Sequence, residues 1–128
     1  MIFIHADALL QILDKKSDKG QEIFEKLEKS KEIFVITSIT LYDVQSLLID
    51  KGIDISSSMI HLLQVYDFSK EDAQKAIEME LELKKKGKEV YLSDLQVSSI
   101  VMNKGGTLCT MDNGLKVLEE LGLKVFFV

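Results

Sequence analysis

The sequence predicts an α/β fold: one three-layer α/β/α domain built around a mainly parallel central sheet. Two observations lead to this prediction. Short apolar runs typical of strands alternate with longer stretches that carry the 3.6-residue period of amphipathic helices. The stretches between most of these runs are long enough to hold the crossover helix that parallel strands require. No internal repeat, low-complexity tract or linker is visible, so a single domain over residues 1–128 is expected.

The predicted strands are short and rich in β-branched or aromatic residues, which favour extended backbone. They are Ile2–Ile4, Ile33–Thr37, Val65–Phe68, Val90–Leu92, Thr107–Thr110 and Lys124–Val128. The run at 65–68 is ambiguous, because it is brief and half polar. Since sheets of this class bind ligands at the carboxyl ends of their strands, the residues that follow each run are the first place to look for a site.

Helices are predicted between the strands, where apolar residues recur three and four positions apart. They cover the regions of residues 8–13, 23–27, 41–48, 60–63, 69–86, 97–101 and 115–121, and the serines at 56–58 can cap the fourth of them. The longest begins at Ser69, has acids in its first turn, and ends in Lys84–Lys86 before Gly87. This order suits the helix dipole and a glycine stop.

Composition excludes several classes of protein. The 128 residues carry a net charge of −5, and all 16 basic residues are lysine, with no arginine, proline or tryptophan. An acidic chain without guanidinium groups is not a protein that coats long nucleic acids non-specifically. The lone Cys109 cannot form an internal disulfide, and no apolar run approaches the ~20 residues that span a bilayer. We therefore expect a soluble cytoplasmic protein with no membrane partner.

Four acids follow predicted strands within a few residues: Asp7, Asp43, Asp94 and Asp112. Clustered carboxylates repel one another unless a cation neutralises them. Oxygen ligands of this kind suit Mg²⁺ or Mn²⁺, which can activate water for attack on a phosphodiester. Taken singly, an Asp after a strand is more often a helix cap, so the metal hypothesis depends on all four meeting at one sheet edge.

The order of these motifs resembles the PIN domain, especially the VapC-type toxins. The matching stretches are Met1–Leu10, Thr37–Val44, Leu92–Ile100 and Gly106–Asp112, and together they span essentially the whole chain. The resemblance implies a metal-dependent endoribonuclease that uses Mg²⁺ or Mn²⁺ to hydrolyse RNA phosphodiester bonds. It also implies a small antitoxin protein as partner and a homodimer. By the same resemblance Asp43, Asp94 and Asp112 are catalytic residues, and with Asp7 and His5 they are metal ligands.

The chain departs from the family pattern at three positions. His5 stands where the first catalytic Asp is usual, Asp43 is one methylene shorter than the usual Glu, and Gly114 replaces a further acid or amide. Only Asp94 and Asp112 match outright, while Asp7 occupies an Asn position and could restore the missing charge. A neutral imidazole suits Mn²⁺, Zn²⁺ or Ni²⁺ better than Mg²⁺.

The remaining candidate residues each have an ordinary structural alternative. His5 is either a ligand or a histidine that hydrogen-bonds locally, and Ser38 and Thr110 either orient the site or cap and bond the backbone. A group of lysines either contacts RNA or forms a solvated helix end that complements the helix dipole: Lys84, Lys85, Lys86 and Lys88. Cys109 is expected to be inert core. Excess apolar residues around Leu47, Leu48, Ile60, Leu62 and Leu63 predict either core or a partner surface.

Two functional hypotheses follow, with a third class behind them. The first is the PIN-type ribonuclease, and the alternative is a catalytically degenerate PIN-like domain that binds RNA or a protein partner without cleavage. A phosphoacceptor receiver domain shares the alternating architecture, but Asp67 and Asp94 do not fill its pattern of acids convincingly.

Overall fold

The computed structural model describes residues 1–52 and 59–128, so the predicted serine cap at 56–58 lies outside the described residues. The strands are β1 (Ile2–Ile4), β2 (Phe34–Thr37), β3 (Gln64–Tyr66), β4 (Thr107–Thr110) and β5 (Lys124–Phe127). The α-helices are α1 (Ala6–Leu13), α2 (Asp18–Ser30), α3 (Ser38–Asp50), α4 (Lys70–Lys85) and α5 (Leu92–Asn103). Two 3₁₀ segments, Met59–Leu62 and Asn113–Leu121, precede β3 and β5.

The five strands form one parallel sheet in the order β3-β2-β1-β4-β5, which confirms the predicted α/β class. Strand β1 is central: Ile2 is opposite Phe34 of β2 on one side and Thr107 of β4 on the other. The chain runs outward from β1 to β3 and then returns to place β4 on the opposite side of β1. The direction of strand order therefore reverses between β1 and β4, the position where open parallel sheets bind ligands.

Both faces of the sheet are covered by helices, because neighbouring side chains of β1 point to opposite faces. Phe3 packs with Val35 and Leu108 in a cluster beneath α4 and α5. Ile2 and Ile4 pack in the second cluster, against Leu9 of α1 and Ile23 of α2. The predicted inert cysteine belongs to this second cluster: Cys109 is fully buried, and burial raises the pKa of its thiol to about 12.

Helix α4 follows its sequence signals closely. Ser69 accepts from the Asp72 backbone N–H at 3.1 Å, and the Asp72 side chain accepts from the Ser69 N–H at 2.9 Å, which forms a capping box. At the other end Gly87 has a φ of 67°, the left-handed conformation that favours glycine. With 16 residues, α4 is the longest helix among those described, and no helix in the described ranges is apolar and long enough to cross a membrane.

Two local predictions are wrong. The run at 90–92 is not a strand: Val90 packs on the core, but Tyr91 and Leu92 are 81% and 67% exposed, and α5 begins at Leu92. Ser38 does not cap the helix after β2, because Thr37 accepts from the Thr40 N–H at 3.0 Å and Ser38 is already helical. The strand at 90–92 was predicted from apolar character alone. The predicted helix cap, Ser38, was one residue past the actual cap, Thr37.

The apolar residues considered for a partner surface divide between core and surface. Leu48 and Ile60 are buried, with 6% and 1% of their surface exposed. Leu62 is 87% exposed and Leu47 is 42% exposed, so these two remain available on the outside of the molecule. The 3₁₀ segment Met59–Leu62 stands where a short helix through Leu63 was predicted.

Candidate functional site at the carboxyl edge of the sheet

The four predicted acids come from different elements at the carboxyl end of the sheet. Asp7 lies in the first turn of α1, directly after the central strand, and Asp112 caps the 3₁₀ segment that follows β4. Asp94 lies in the first turn of α5, although no strand precedes it, and Asp43 lies further along α3. Asp94 is buried, Asp7 and Asp43 are partly buried, and Asp112 is exposed.

His5 joins two of these acids directly. Its Nδ1 is 3.2 Å from Asp7 Oδ1, and its Nε2 is 2.8 Å from Asp94 Oδ1. The His5 and Asp94 side chains are only 13% and 11% exposed, and 89 residues of chain separate them. Because an ionised carboxylate only accepts hydrogen bonds, both ring nitrogens must donate, and the ring is therefore an imidazolium.

The electrostatics of this triad agree with its geometry. Burial by itself lowers the pKa of His5, but the hydrogen bonds and charges of Asp7 and Asp94 outweigh burial and raise that pKa from 6.5 to about 9. Burial by itself raises the pKa of Asp7, but the hydrogen bond and charge of His5, aided by Thr110 and Met111, hold it below its usual 3.8. The site is a charged bridge at neutral pH.

This bridge makes stability depend on pH above neutrality. A raised histidine pKa stabilises the fold fully below the unfolded value of 6.5, and the contribution is lost as pH rises through about 9. The rise corresponds to roughly 3 kcal/mol. The lowered Asp7 pKa acts oppositely, since its contribution is present above 3.8 and is lost in acid. We expect the free energy of urea unfolding to fall by roughly this amount between about pH 6 and pH 10. His5→Asn should lack most of this fall, and an equal fall in that variant would contradict the assignment.

Asp7 is the most fully engaged acid of the site. Its Oδ1 accepts from the Ala8 N–H at 2.6 Å as well as from His5. Its Oδ2 accepts from the Thr110 hydroxyl at 2.7 Å and from the Met111 N–H at 3.0 Å. Asp7 therefore connects α1 to the end of β4 through the Thr110 hydroxyl and the Met111 N–H.

Asp43 and Asp112 take part less directly. Burial raises the pKa of Asp43, and the charge of Asp94 adds to that rise while the charge of His5 opposes it, so Asp43 belongs to the same electrostatic group. Asp112 Oδ1 accepts from the Gly114 N–H at 2.8 Å, which is the helix-capping role weighed against metal binding. Thr110 Oγ1 accepts from the Asp112 N–H at 3.1 Å and links this acid to Asp7.

Asp94 and Asp112 share an open cleft of about 450 Å³ with Glu89 and Tyr91. The sequence reasoning did not single out Glu89 or Tyr91 as site residues. The predicted strand at 90–92 placed Tyr91 within the sheet, and Glu89 stood just before that strand and not after one, where site residues were sought. The signal in the sequence was that an acid, Glu89, and an aromatic residue, Tyr91, stand a few positions before Asp94.

The other predicted residues lie apart from the bridge. Ser38 begins α3 without capping it. Of the lysines predicted to contact RNA, Lys86 and Lys88 pair with Glu120 at 3.2 and 3.4 Å, and Lys85 pairs with Glu82 at 3.3 Å. Exposed pairs of this kind contribute little to stability, so these lysines retain accessible charge.

The side chains as arranged do not fit a divalent cation. The ring of His5 fills the space between Asp7 and Asp94 and takes an oxygen of each, while Asp112 caps its own turn. Across the described residues, no three or more histidine, cysteine, aspartate or glutamate side chains form a group that could hold a metal ion. His5 supplies a positive charge between Asp7 and Asp94, where a metal ion would otherwise supply it.

Solved structures similar to this chain include toxin–antitoxin proteins. A chain of VapBC2 from Rickettsia felis, crystallised with a promoter DNA fragment, is 22% identical with a TM-score of 0.74, covering 100% of this chain and 99% of that one. FitAcB from Neisseria gonorrhoeae is 17% identical with a TM-score of 0.75, covering 98% and 96%. The chain has a VapC-type PIN-like fold. VapC20 from Mycobacterium tuberculosis, described as a sarcin-ricin loop cleaving toxin, is 15% identical with a TM-score of 0.69, covering 88% and 91%.

The likeness is one of fold. No family model matches the sequence, and no curated protein matches it. Within the PIN-like fold, Asp94 and Asp112, the two acids that match the family motifs outright, line one cleft. His5, at the position of the missing first acid, is bonded to one of them.

Proposed function

We propose that this chain is a catalytically degenerate PIN-like protein, which binds a small antitoxin-like protein and does not cleave RNA in the bridged form. One observation carries the proposal: His5 donates to Asp7 and Asp94 at once, so it occupies one oxygen of each acid and compensates part of their negative charge. A PIN-type cleavage site needs those oxygens free for a cation, by the resemblance described above.

Charge favours a protein partner over RNA. The cleft at the carboxyl edge is lined by Glu89, Asp94 and Asp112, and the chain as a whole carries a net charge of −5. Phosphates are repelled by such a surface, whereas a basic protein segment is attracted to it. Tyr42 and Tyr91, which are 73% and 81% exposed, add the aromatic contact area common at protein interfaces. The similar solved structures include VapBC and FitAB assemblies, which supports a partner of the antitoxin kind.

A second candidate function is the metal-dependent endoribonuclease. It is favoured by the gathering of Asp7, Asp43 and Asp94 around one histidine, and by the fold shared with a toxin named for cleaving the sarcin-ricin loop. In this candidate Asp43, Asp94 and Asp112 would be the catalytic acids, with Mg²⁺ or Mn²⁺ as cofactor. The lysines near residues 84–88 would contact the RNA. The candidate requires His5 to leave its present position.

One experiment with two arms tests the proposal. Purified protein is incubated with structured RNA in Mg²⁺ or Mn²⁺, beside an Asp94→Asn/Asp112→Asn double variant. We expect no cleavage above that of the double variant, because His5 occupies an oxygen of both Asp7 and Asp94 in the wild type. In the second arm the protein is co-expressed with a small basic protein of the antitoxin kind, and the pair should co-purify. Tyr91→Ala should weaken that pairing without changing the melting temperature.

The outcomes separate the two candidates. Metal-dependent cleavage by the wild type that the double variant lacks would establish the nuclease and remove the proposal. Failure to co-purify would remove the protein-partner part of the proposal.

A further inference from the structure

The contacts of the bridge leave Asp7 with no free acceptor position for a cation. Four groups donate to its two oxygens: His5, the Ala8 N–H, the Thr110 hydroxyl and the Met111 N–H. A carboxylate offers about four lone-pair positions. A metal ion could therefore bind Asp7 only by displacing one of these donors, and three of the four are fixed by backbone or by a neighbouring strand.

Asp94 is constrained from the other side. Its Oδ1 accepts from His5 Nε2 at 2.8 Å, a charge-assisted bond of ordinary strength and length. The side chain is 11% exposed, so little water competes for the contact. Of the four donors on Asp7, two are backbone N–H groups and two are side chains, and of the two side chains only His5 also bonds to Asp94.

A simple structural ion pair would have a different consequence. If the bridge only stabilised the fold, removing the histidine would leave two repelling acids and a weaker protein, with no new binding property. If the histidine occupies the position of a cation, removing it should create a cation site, because Asp7, Asp94 and the nearby Asp43 would then face a vacated space. Replacing the ring by a fourth acid should favour this further.

We infer that His5 is a built-in substitute for a divalent cation: it holds Asp7 and Asp94 together in the metal-free protein, and its replacement converts this edge of the sheet into a Mn²⁺ or Mg²⁺ site. The inference deepens the proposed function, because it names the residue that keeps the PIN-like site closed. It concerns binding of the metal alone and does not require RNA cleavage by any variant.

The test is calorimetric titration of Mn²⁺ and Mg²⁺, with the melting temperature recorded with and without each metal. The wild type should give no saturable heat and no shift in melting temperature. His5→Asp should bind Mn²⁺ at least about tenfold more tightly than the wild type and gain melting temperature on binding. His61→Asp is the matched control, since it introduces the same carboxylate at the other, exposed histidine of the chain. It should behave as the wild type.

Two further variants keep the result interpretable. His5→Asn removes the imidazolium without adding an acid, so it should also gain a Mn²⁺-dependent rise in melting temperature, even if His5→Asp folds only with metal present. Adding Asp94→Asn to His5→Asp should abolish the gain.

Saturable Mn²⁺ binding by the wild type that Asp94→Asn removes would overturn the inference. So would an absence of any metal response in both His5 variants, and in that case the proposed function would still stand if the wild type does not cleave RNA. Conversely, RNA cleavage by the wild type without measurable metal binding would overturn the proposed function and leave this inference intact.

Discussion

Asp7→Asn should lower the free energy of unfolding by about 2–4 kcal/mol, because it removes one partner of a largely buried, hydrogen-bonded charge pair. The carboxylate accepts from His5, Ala8, Thr110 and Met111, and an amide has only one oxygen to offer these donors. The amide NH₂ would therefore face a donor, and His5 would lose half of its compensation. Urea unfolding followed by circular dichroism measures the loss.

Asp112→Asn is the matched control for this prediction. Asp112 is exposed and accepts from the Gly114 N–H, a capping bond that asparagine can also make. Its free energy of unfolding should stay within about 0.5 kcal/mol of the wild type. If Asp7→Asn and Asp112→Asn have equally small effects, the bridge does not hold α1 to β4.

Gly20→Ala should destabilise the protein by about 2–3 kcal/mol, although the same change in an ordinary helix stabilises by about 1 kcal/mol. Gly20 lies in α2 where it crosses α1, and a Cβ there would be 2.5 Å from the Gln11 carbonyl carbon and 3.0 Å from the Ile12 nitrogen. Both obstacles are backbone, so α1 and α2 would have to separate. Thermal and urea unfolding should show the reversed sign.

Gln21→Ala provides the comparison for this substitution. Gln21 is the next residue of α2 and is exposed, so its replacement should change stability by no more than about 0.5 kcal/mol. A stabilised Gly20→Ala variant would mean that the two helices are not packed this closely in solution.

The elements that were predicted correctly are those whose ends are set by neighbouring residues in the sequence. The strands that carry the site, β1 and β4, are apolar runs with clear ends, and α4 has both a capping box and a glycine stop. The run at 90–92 has the same apolar character as a strand, yet Tyr91 and Leu92 point to solvent, because α5 packs directly beside α4. No local signal distinguishes such a run from a strand.

The site was predicted as a set of residues but not as an arrangement. Four acids were assigned to one sheet edge from their positions after strands, and three of them now belong to one electrostatic group with His5. The bond from His5 to Asp94 connects residues 89 positions apart, so it depends on how α5 lies across the sheet. Periodicity and spacing carry no information about such a contact, and a histidine in place of an acid offered only a choice between ligand and local hydrogen bond.

The central position of β1 has a consequence for how the chain acquires its structure during synthesis. Phe3 pairs with Leu108, and Asp7 bonds to Thr110 across 103 residues, so β1 lacks one of its two neighbours until residues 107–110 have been synthesised. Contacts so distant in sequence slow folding, because a long loop must close before they form. A nascent chain ending before residue 107 would hold only β1, β2 and β3, with an open apolar edge on β1. The bonds of Asp7 to Thr110 and Met111 therefore form only once β4 has joined β1, and the same pairing covers the exposed edge of β1.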